Sequence, residues 1–438
     1  MIAERVRDCG GRTYFVGGYV RDRFLNIENK DIDIEVHGIS EECFHSILDD
    51  LGTTLIFGES FRVYSLKGYS LDISLPRKEN SAESAPFIGS KTSAKRRDLT
   101  CNALMQDVLS GEILDHFGGI KDMEGRILRH CDDVTFSEDP LRVLRAARLS
   151  AELGFSVAKE TVALCRGLDL SALPSERIEG ELKKALLLSE RPSVFFEQLR
   201  EMDGLDVWFP ELKALIGVEQ NPRHHMEGDV WTHTMLVLDE AVCYRREATE
   251  PFGFMLAALC HDYGKAICTE MINGELHSYQ HEVKGLPLVQ AFLDRITSEK
   301  KLHRYVLNMV ELHMRPNFIA AANASVKSTN KMFDLAISPE DLLLLSFADG
   351  FGTHSPVPYV PKDDFLYERL SIYREYMERP YVKGKDLIAA GLKPDTDFSE
   401  ILAYAHKLRL AGIEKKNALK QTLAYARKMR KDTLEKHR

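Results

Sequence analysis

Two periods of hydrophobicity divide the chain. Near the N-terminus the apolar residues come in short runs and alternations of period two: Tyr14, Phe15 and Val16 form one run, and Ile32, Ile34 and Val36 alternate with acids in the next. Strand-like segments follow at Thr54–Phe57 and Arg62–Leu66, and again around Asp72 in YSLDISL. Between them Glu41–Leu51 has a helical pattern, and Asn80–Ala94 has no period, is rich in Ser and Ala, and reads as a loop. Beyond about residue 137 the period lengthens to that of amphipathic helices, one starting near Ser137 as an N-cap, another from Pro174, and a Lys/Arg-rich one at the C-terminus. The pattern therefore predicts an α/β head on a helical body.

Composition narrows the class. A chain of 438 residues that is 44% hydrophobic and 29% charged has material for two to four domains. It lacks an apolar signal segment, and runs such as Phe254–Cys260 are too short for a bilayer, so the expectation is a cytoplasmic chain with no membrane partner. Eight cysteines without a CxxC pair argue for reduced thiols over zinc fingers or a disulfide framework. A net charge of −9 means that any nucleic-acid contact must come from local basic patches.

The candidate chemistry begins in FVGGYVRDRFLNIENKDIDIEV, from Phe15 to Val36. Gly17-Gly18 after a strand allows a sharp turn that brings backbone N–H groups to a phosphate, and Arg21 adds charge there. On the next strand Asp31, Asp33 and Glu35 share one face, where carboxylates repel unless a cation such as Mg²⁺ lies between them. Asp72 either joins them or faces solvent. In KRRDLTCNALMQD, Arg96 and Arg97 suit phosphate oxygens, Asp98 can orient them or accept from a sugar hydroxyl, and Asn102 is both donor and acceptor. In SEDPLRVLRAARLSAELGF, Asp139 stands beside Arg142, with Arg145 and Arg148 following at intervals of three. An acceptor next to donors fits the amine and ring nitrogen of cytosine or adenine and misfits guanine and uracil.

These strings resemble the motifs of the class II tRNA nucleotidyltransferases, the CCA-adding enzymes, and of their relatives the bacterial poly(A) polymerases. GGYVRD with KDIDIEV resembles the first motif, RRDLTCNA the second, and EDPLR the template motif, in which the equivalents of Asp139 and Arg142 select CTP and ATP. The segment with Asp115, Gly118-Gly119 and Asp122 resembles the connector motif, and Arg177 with Glu181 a last motif that braces the template helix. The resemblance implies an α+β fold: a nucleotidyltransferase head of mixed β-sheet with helices at 1–130, then an all-α neck at 131–215. It implies Asp31 and Asp33 as catalytic ligands of Mg²⁺. Gly17, Gly18, Arg21, Arg96, Arg97, Asp98, Asn102, Asp139, Arg142, Arg145 and Arg148 become nucleotide-binding residues, and tRNA, CTP and ATP the partners.

A second chemistry starts near His224. His233, the His261-Asp262 pair after an apolar helix, and Asp349 occur in an order that resembles the HD phosphohydrolases, which implies a metal domain at 216–375 holding Ni²⁺, Mn²⁺ or Mg²⁺. His277, His281 and His313 either extend it to a second metal or are ordinary histidines. Poly(A) polymerases of the family usually lack such a domain. The helical tail at 376–438 either grips tRNA through phosphates or is a solvated helix. The reading is full CCA addition with a second hydrolytic site. Its rivals are a CC-only or A-only enzyme, a poly(A) polymerase, and a phosphohydrolase with a nucleotide-binding head.

Overall fold

Strand β2 (Ile32–His37) decides the architecture of the N-terminal part, because its two faces have opposite character. Ile34 and Val36 enter a core with Val6, Phe44, Tyr64 and Ile73, while Asp33 and Glu35 face the other way. The computed structural model describes residues 1–57, 63–77 and 83–436. In it β2 pairs antiparallel with β1 (Arg12–Val16) and in parallel with β5 (Leu71–Ser74). Together with β3 (Thr54–Phe57), β4 (Val63–Leu66), β6 (Met105–Asp107) and β7 (Ile113–Leu114) they form a mixed sheet in the order β3-β4-β5-β2-β1-β6-β7. The parallel pairing of β2 with β5 sets Asp33 opposite Asp72 on a shared face, and Ile34 opposite Ile73 on the core face.

The chain divides into two compact units, Met1–Pro210 and Glu211–Arg438. In the first, helices Leu141–Leu153, Ser175–Leu188 and Ser193–Glu201 follow the sheet, and Phe195, Phe196 and Phe209 make edge-to-face contacts at 5.0–6.3 Å between centroids. The neck is not purely helical: β8 (Ile127–Leu128) pairs with β9 (Ser156–Val157). In the second unit, helices Val230–Ala241, Pro251–Cys260, Lys300–Leu312 and Pro339–Gly352 pack around a core, and a hairpin of β10 (Glu270–Ile272) and β11 (Glu275–His277) interrupts the helices. Two-residue strands and a three-residue hairpin are too short to leave a period in the sequence. The final helices, Gly384–Ala389, Phe398–Leu410 and Lys415–Lys436, enclose a cluster of their own around Leu387, Ile401 and Ala418. Among the described residues no helix is long and apolar enough to cross a membrane.

Three local expectations change. Of the loop expected over Asn80–Ala94, residues 80–82 lie outside the described residues, and Ser90–Lys95 is a helix whose single turn and a half was too short to show periodicity. Arg62 likewise lies outside the described residues, and the strand expected from it begins at Val63. Ser137 caps nothing: it ends a helix, Asp133–Ser137, and its hydroxyl donates to the Asp133 carbonyl. Pro140 stands at the N-cap of Leu141–Leu153, and Asp139 before it accepts from the Leu141 N–H at Oδ1, 3.2 Å.

Candidate functional site

In the first unit the polar face of β2 and β5 opens on two adjoining clefts of about 350 and 450 Å³, both lined by Asp33, Arg96, Arg97 and Arg142. The smaller adds Asp72, Arg77 and Ser93, and the larger Gly17, Gly18, Arg21, Asn102, Asp139 and Arg177. Gly17 turns with φ 67°, a conformation costly for any side chain, and a Cβ there would stand 3.5 Å from Asp33 Oδ2. The turn thus passes directly over the carboxylate. Burial raises the Asp33 carboxyl, the charge of Arg97 lowers it, and Asp72 and Asp31 push it up again, leaving it above the ordinary value. A carboxyl whose ionisation Asp72 and Asp31 oppose, at a cleft bordered by arginines, fits a divalent cation with oxygen ligands. Asp72, left open by the sequence, belongs to this group by its register with Asp33. Asp31 precedes the strand and is exposed.

Glu35 shares that face but has another task. It is buried, and its carboxylate accepts from Ser93 Oγ at 2.6 Å, His37 Nε2 at 2.7 Å and Arg97 Nη2 at 3.3 Å. Burial opposes its charge, yet the bond from His37 and the charge of Arg97 outweigh it and hold the carboxyl at about 2. It therefore aims Arg97 and ties the helix Ser90–Lys95 to the sheet.

The second motif is braced in the same manner. Asp98 orients neither neighbouring arginine: Oδ1 accepts from the Leu99 N–H and from Asn102 Nδ2, and Oδ2 from Arg145 Nε at 2.7 Å. Asn102 in turn accepts from Arg21 Nη1 at 2.8 Å. Arg148 is buried between Glu181, at 2.5 Å, and Glu152, at 2.7 Å. Arg145 and Arg148 thus spend their charge on protein carboxylates while bordering the cleft. Asp139 and Arg142 line the same cleft but do not pair with each other. Asp139 is held by Arg177 at 2.7 Å, and Arg142 donates to the carbonyls of Thr135 and Arg96. Arg177, expected as a brace of the helix that follows Asp139, touches the Asp139 carboxylate itself.

In the second unit His233, His261, Asp262 and Asp349 converge, and His281 and His313 join them. His233 Nε2 lies 3.2 Å from Asp349 Oδ1, 3.3 Å from His261 Nε2 and 3.5 Å from Asp262 Oδ2. His277 is outside the converging groups: it stacks on Tyr279 at 4.9 Å and lines a cleft with His225, Lys265 and His281. Gly264 explains how His281 arrives: a Cβ there would collide with the His281 carbonyl, so only glycine lets that backbone pass beside the His-Asp turn. Glu227 Oε1 accepts from the Nδ1 atoms of His225 and His233, at 2.8 and 3.0 Å. Burial opposes charge on His233, but bonds to Asp349 and Glu227 outweigh it and raise the ring to about 9. Asp262 Oδ2 is buried with no hydrogen bond of good geometry, although Lys265 Nζ stands 2.7 Å away. Imidazole and carboxylate groups turned inward on one another in a buried site suit a divalent metal. Sequence reasoning missed His225, Glu227 and Lys265. The only trace of the first two is the short H-x-E spacing ahead of His233.

Residues 13–129 match the family model of the poly A polymerase head domain, and 154–216 that of the probable RNA and SrmB-binding site of polymerase A. A multifunctional CCA protein of Pasteurella multocida is 36% identical over 413 residues, covering 87% of this chain and 92% of that one. Among solved structures, the Thermotoga maritima CCA-adding enzyme complexed with tRNA is similar with a TM-score of 0.62 at 19% identity, over 97% of this chain and 94% of that one. A CCA-adding enzyme in complex with ATP gives 0.66 at 19%, over 97% and 92%.

Proposed function

The chain belongs to the family of the multifunctional CCA proteins, class II tRNA nucleotidyltransferases, and from that premise we propose how its two units divide the work. The first unit adds C, C and A to tRNA 3′ ends from CTP and ATP, with no nucleic-acid template. The observation that carries this is the register of Asp33 and Asp72 beside Gly17, Arg96 and Arg97, with Asp139 and Arg142 on the same cleft. The head takes a divalent cation, and we assign Mg²⁺ to Asp31, Asp33 and Asp72; bound there, it supplies charge to offset that developing on the transferring phosphoryl group. Arg96 and Arg97 neutralise the triphosphate, and Glu35 keeps Arg97 pointed at it. The tRNA 3′ oxygen forms a bond to the α-phosphorus as pyrophosphate leaves, and Asp139 and Arg142 read the base edge. The site of action is the cytoplasm.

The test is tRNA ending at its discriminator base, incubated with CTP, ATP or both, and sequenced. Full CCA only with both nucleotides is the expected result. Growth by CC alone, by A alone, or into an A-tail would replace this reading with a partial enzyme or a poly(A) polymerase.

For residues 216–375 we propose a metal-dependent phosphohydrolase that clears 2′,3′-cyclic or 2′-phosphates from RNA 3′ ends. His233, His261, Asp262 and Asp349 hold the metal, Ni²⁺, Mn²⁺ or Mg²⁺, which makes water a nucleophile near neutral pH. Water adds across one phosphoester bond, its oxygen to phosphorus and a proton to the departing sugar oxygen. Lys265, beside Asp262, is placed to meet phosphate charge. An addition enzyme needs a free 3′ hydroxyl, so such a site restores its substrate. The activity should vanish with chelator and return with one of these metals; no hydrolysis of 2′,3′-cyclic AMP with any of them would refute it.

A further inference from the structure

Two clefts of the second unit, of about 900 and 410 Å³, share His225, Lys265 and Met314 and so meet beside the histidine centre. The smaller also reaches Asp262 and Asp349, and the larger reaches His281. A phosphate held at Lys265 stands where they join, and the rest of its nucleotide must extend into one or the other.

The two are lined by different chemistry. Val357, Pro358, Tyr359 and Val360 wall the smaller. Its tyrosine is already engaged: the ring lies so close to Gly350 that a Cβ there would collide with it, and the hydroxyl donates to Asn317 Oδ1 at 3.1 Å. The larger leaves flat rings in water. Tyr279 is 59% and Phe318 63% exposed, and both line it. His277 lies parallel to Tyr279, with centroids 4.9 Å apart and planes within 10°. Apolar ring faces gathered in one cleft are a site for a flat apolar ligand face.

The backbone keeps Tyr279 out while it sends His281 in. Hairpin β10–β11 delivers the chain to Ser278, whose Oγ lies 2.8 Å from Thr269 Oγ1 and whose carbonyl accepts from His281 Nδ1 at 2.8 Å. Between Tyr279 and His281, Gln280 adopts φ 61°, a left-handed conformation that is uncommon outside glycine. The chain reverses there. His281 becomes buried with Nε2 3.2 Å from Asp262 Oδ1, and Tyr279 stays exposed in the cleft. Two residues of chain span at most about 7 Å, a gap that one ribose can bridge.

We infer that the larger cleft is the nucleobase subsite of the hydrolytic centre. The base of the 3′-terminal nucleotide stacks on Tyr279, which His277 stiffens, and Phe318 supplies a second apolar wall while the phosphate lies at Lys265. Two of the polar side chains in the cleft are already used within the protein: Asn221 accepts from the Arg223 N–H, and Glu275 pairs with the Arg223 guanidinium. A stacking face accepts every base. The subsite therefore takes RNA ends whatever their last nucleotide. This rests on the phosphohydrolase reading for the reaction and adds where the base goes.

The experiment measures steady-state hydrolysis by the full-length protein of 2′,3′-cyclic AMP, 2′,3′-cyclic CMP and, without a base, ribose 2,3-cyclic phosphate. Tyr279→Ala should raise KM for both nucleotides by about 5- to 150-fold, the loss of one stacked base, with kcat nearly unchanged. The base-free substrate should not notice the change, and Tyr279→Phe, which keeps the ring, should behave as the parent. An equal loss on the base-free substrate would reduce Tyr279 to a support for His281 and overturn the subsite. A second readout needs no turnover: a short RNA ending in 4-thiouridine 2′-phosphate is irradiated on the protein and its cross-link mapped by peptide mass. The expected cross-link falls on the peptide of Tyr279 or of Phe318. That cross-link without hydrolysis of any substrate would overturn the phosphohydrolase reading and leave the subsite standing. Hydrolysis with cross-links only on residues 357–360, or on neither cleft, overturns the subsite alone, and neither hydrolysis nor a cross-link at either cleft overturns both.

Discussion

The two centres solve the problem of concentrated charge in opposite ways. In the head, Asp33, Asp72, Arg21, Arg96 and Arg97 stay at least partly exposed at the cleft, and buried polar groups hold the arginines: Glu35 holds Arg97, Asn102 holds Arg21, and Asp98 holds Arg145. In the second unit, His233, His261, His313 and Asp262 are themselves buried, each at 1% exposure or less, and their bracing is built into backbone carbonyls and Glu227. The first is a surface that waits for a large, polyanionic substrate. The second is a closed, buried set of imidazoles and carboxylates turned on one another, with the Lys265 ammonium 2.7 Å from Asp262.

The sharpest way to break this comparison is a crossed pair of variants. Asp33→Ala should lower nucleotide addition by about 10²–10³-fold or more, the scale of losing a main source of transition-state charge compensation, and leave metal-dependent hydrolysis intact. Asp262→Ala should do the reverse. Each is measured with both substrates on the same preparation. If either variant lowered both activities alike, the two centres would not be independent.

Next in size is the effect of the brace. The Glu35 carboxyl lies at about 2, against 4.5 in an unfolded chain, so its contribution to stability is fully present above about pH 4.5 and fades as the pH falls through 2. Its size is on the order of 3 kcal/mol. Glu35→Gln should therefore melt several degrees below the parent at pH 7, with the gap narrowing towards pH 3. A gap independent of pH would mean that Glu35 acts by shape alone.

How far the sequence revealed each centre follows from the same contrast. Head ligands sit in contiguous strings, where alternation on one strand already puts Asp33 and Glu35 on a common face. It could not tell that Asp33 faces the cleft while Glu35 turns to His37 and Ser93, since only the pairing of β2 with other elements separates them. The histidine centre draws on residues from Glu227 to Asp349, and its order alone was readable. His281 and His313 were indistinguishable from His277, because a bond from Nδ1 to a carbonyl three residues upstream leaves no mark in composition. Gly264 was the available clue, a glycine two residues after the His-Asp pair whose φ of −63° does not itself require glycine. Ser137 misled for the converse reason: a good capping residue lay one helix too early, at the end of Asp133–Ser137, and Pro140 holds the N-cap of the next helix.

A smaller effect tests the template residues. Asp139→Ala and Arg142→Ala should each admit UTP or GTP, with a loss of about 1–3 kcal/mol in discrimination. Arg177→Ala leaves Asp139 in place but removes its salt bridge at 2.7 Å. That pair is substantially exposed, so the expected loosening is about tenfold or less. Misincorporation scored nucleotide by nucleotide separates the cases. An Arg177→Ala variant that slows all four nucleotides equally, with unchanged selectivity, would return Arg177 to the role of a helix brace.

The smallest expected effect concerns the last helix, Lys415–Lys436, where the two faces can be told apart. Ala418, Thr422 and Ala426 are buried against the tail's own core, whereas Lys416, Lys420 and Arg427 recur at helical spacing on the exposed side. Lys415 differs, since its ammonium lies 2.9 Å from Asp386. If the exposed stripe meets tRNA phosphates, each charge removed should lower the slope of log affinity against log salt by about 0.7–0.9. The triple variant Lys416→Ala, Lys420→Ala, Arg427→Ala should therefore bind tRNA more weakly at low salt and converge with the parent at high salt. Lys415→Ala, whose charge is already offset within the protein, should leave the slope unchanged. Filter binding across a salt series distinguishes the outcomes, and parallel lines for the triple variant and the parent would make the terminal helix a solvated support for its own core.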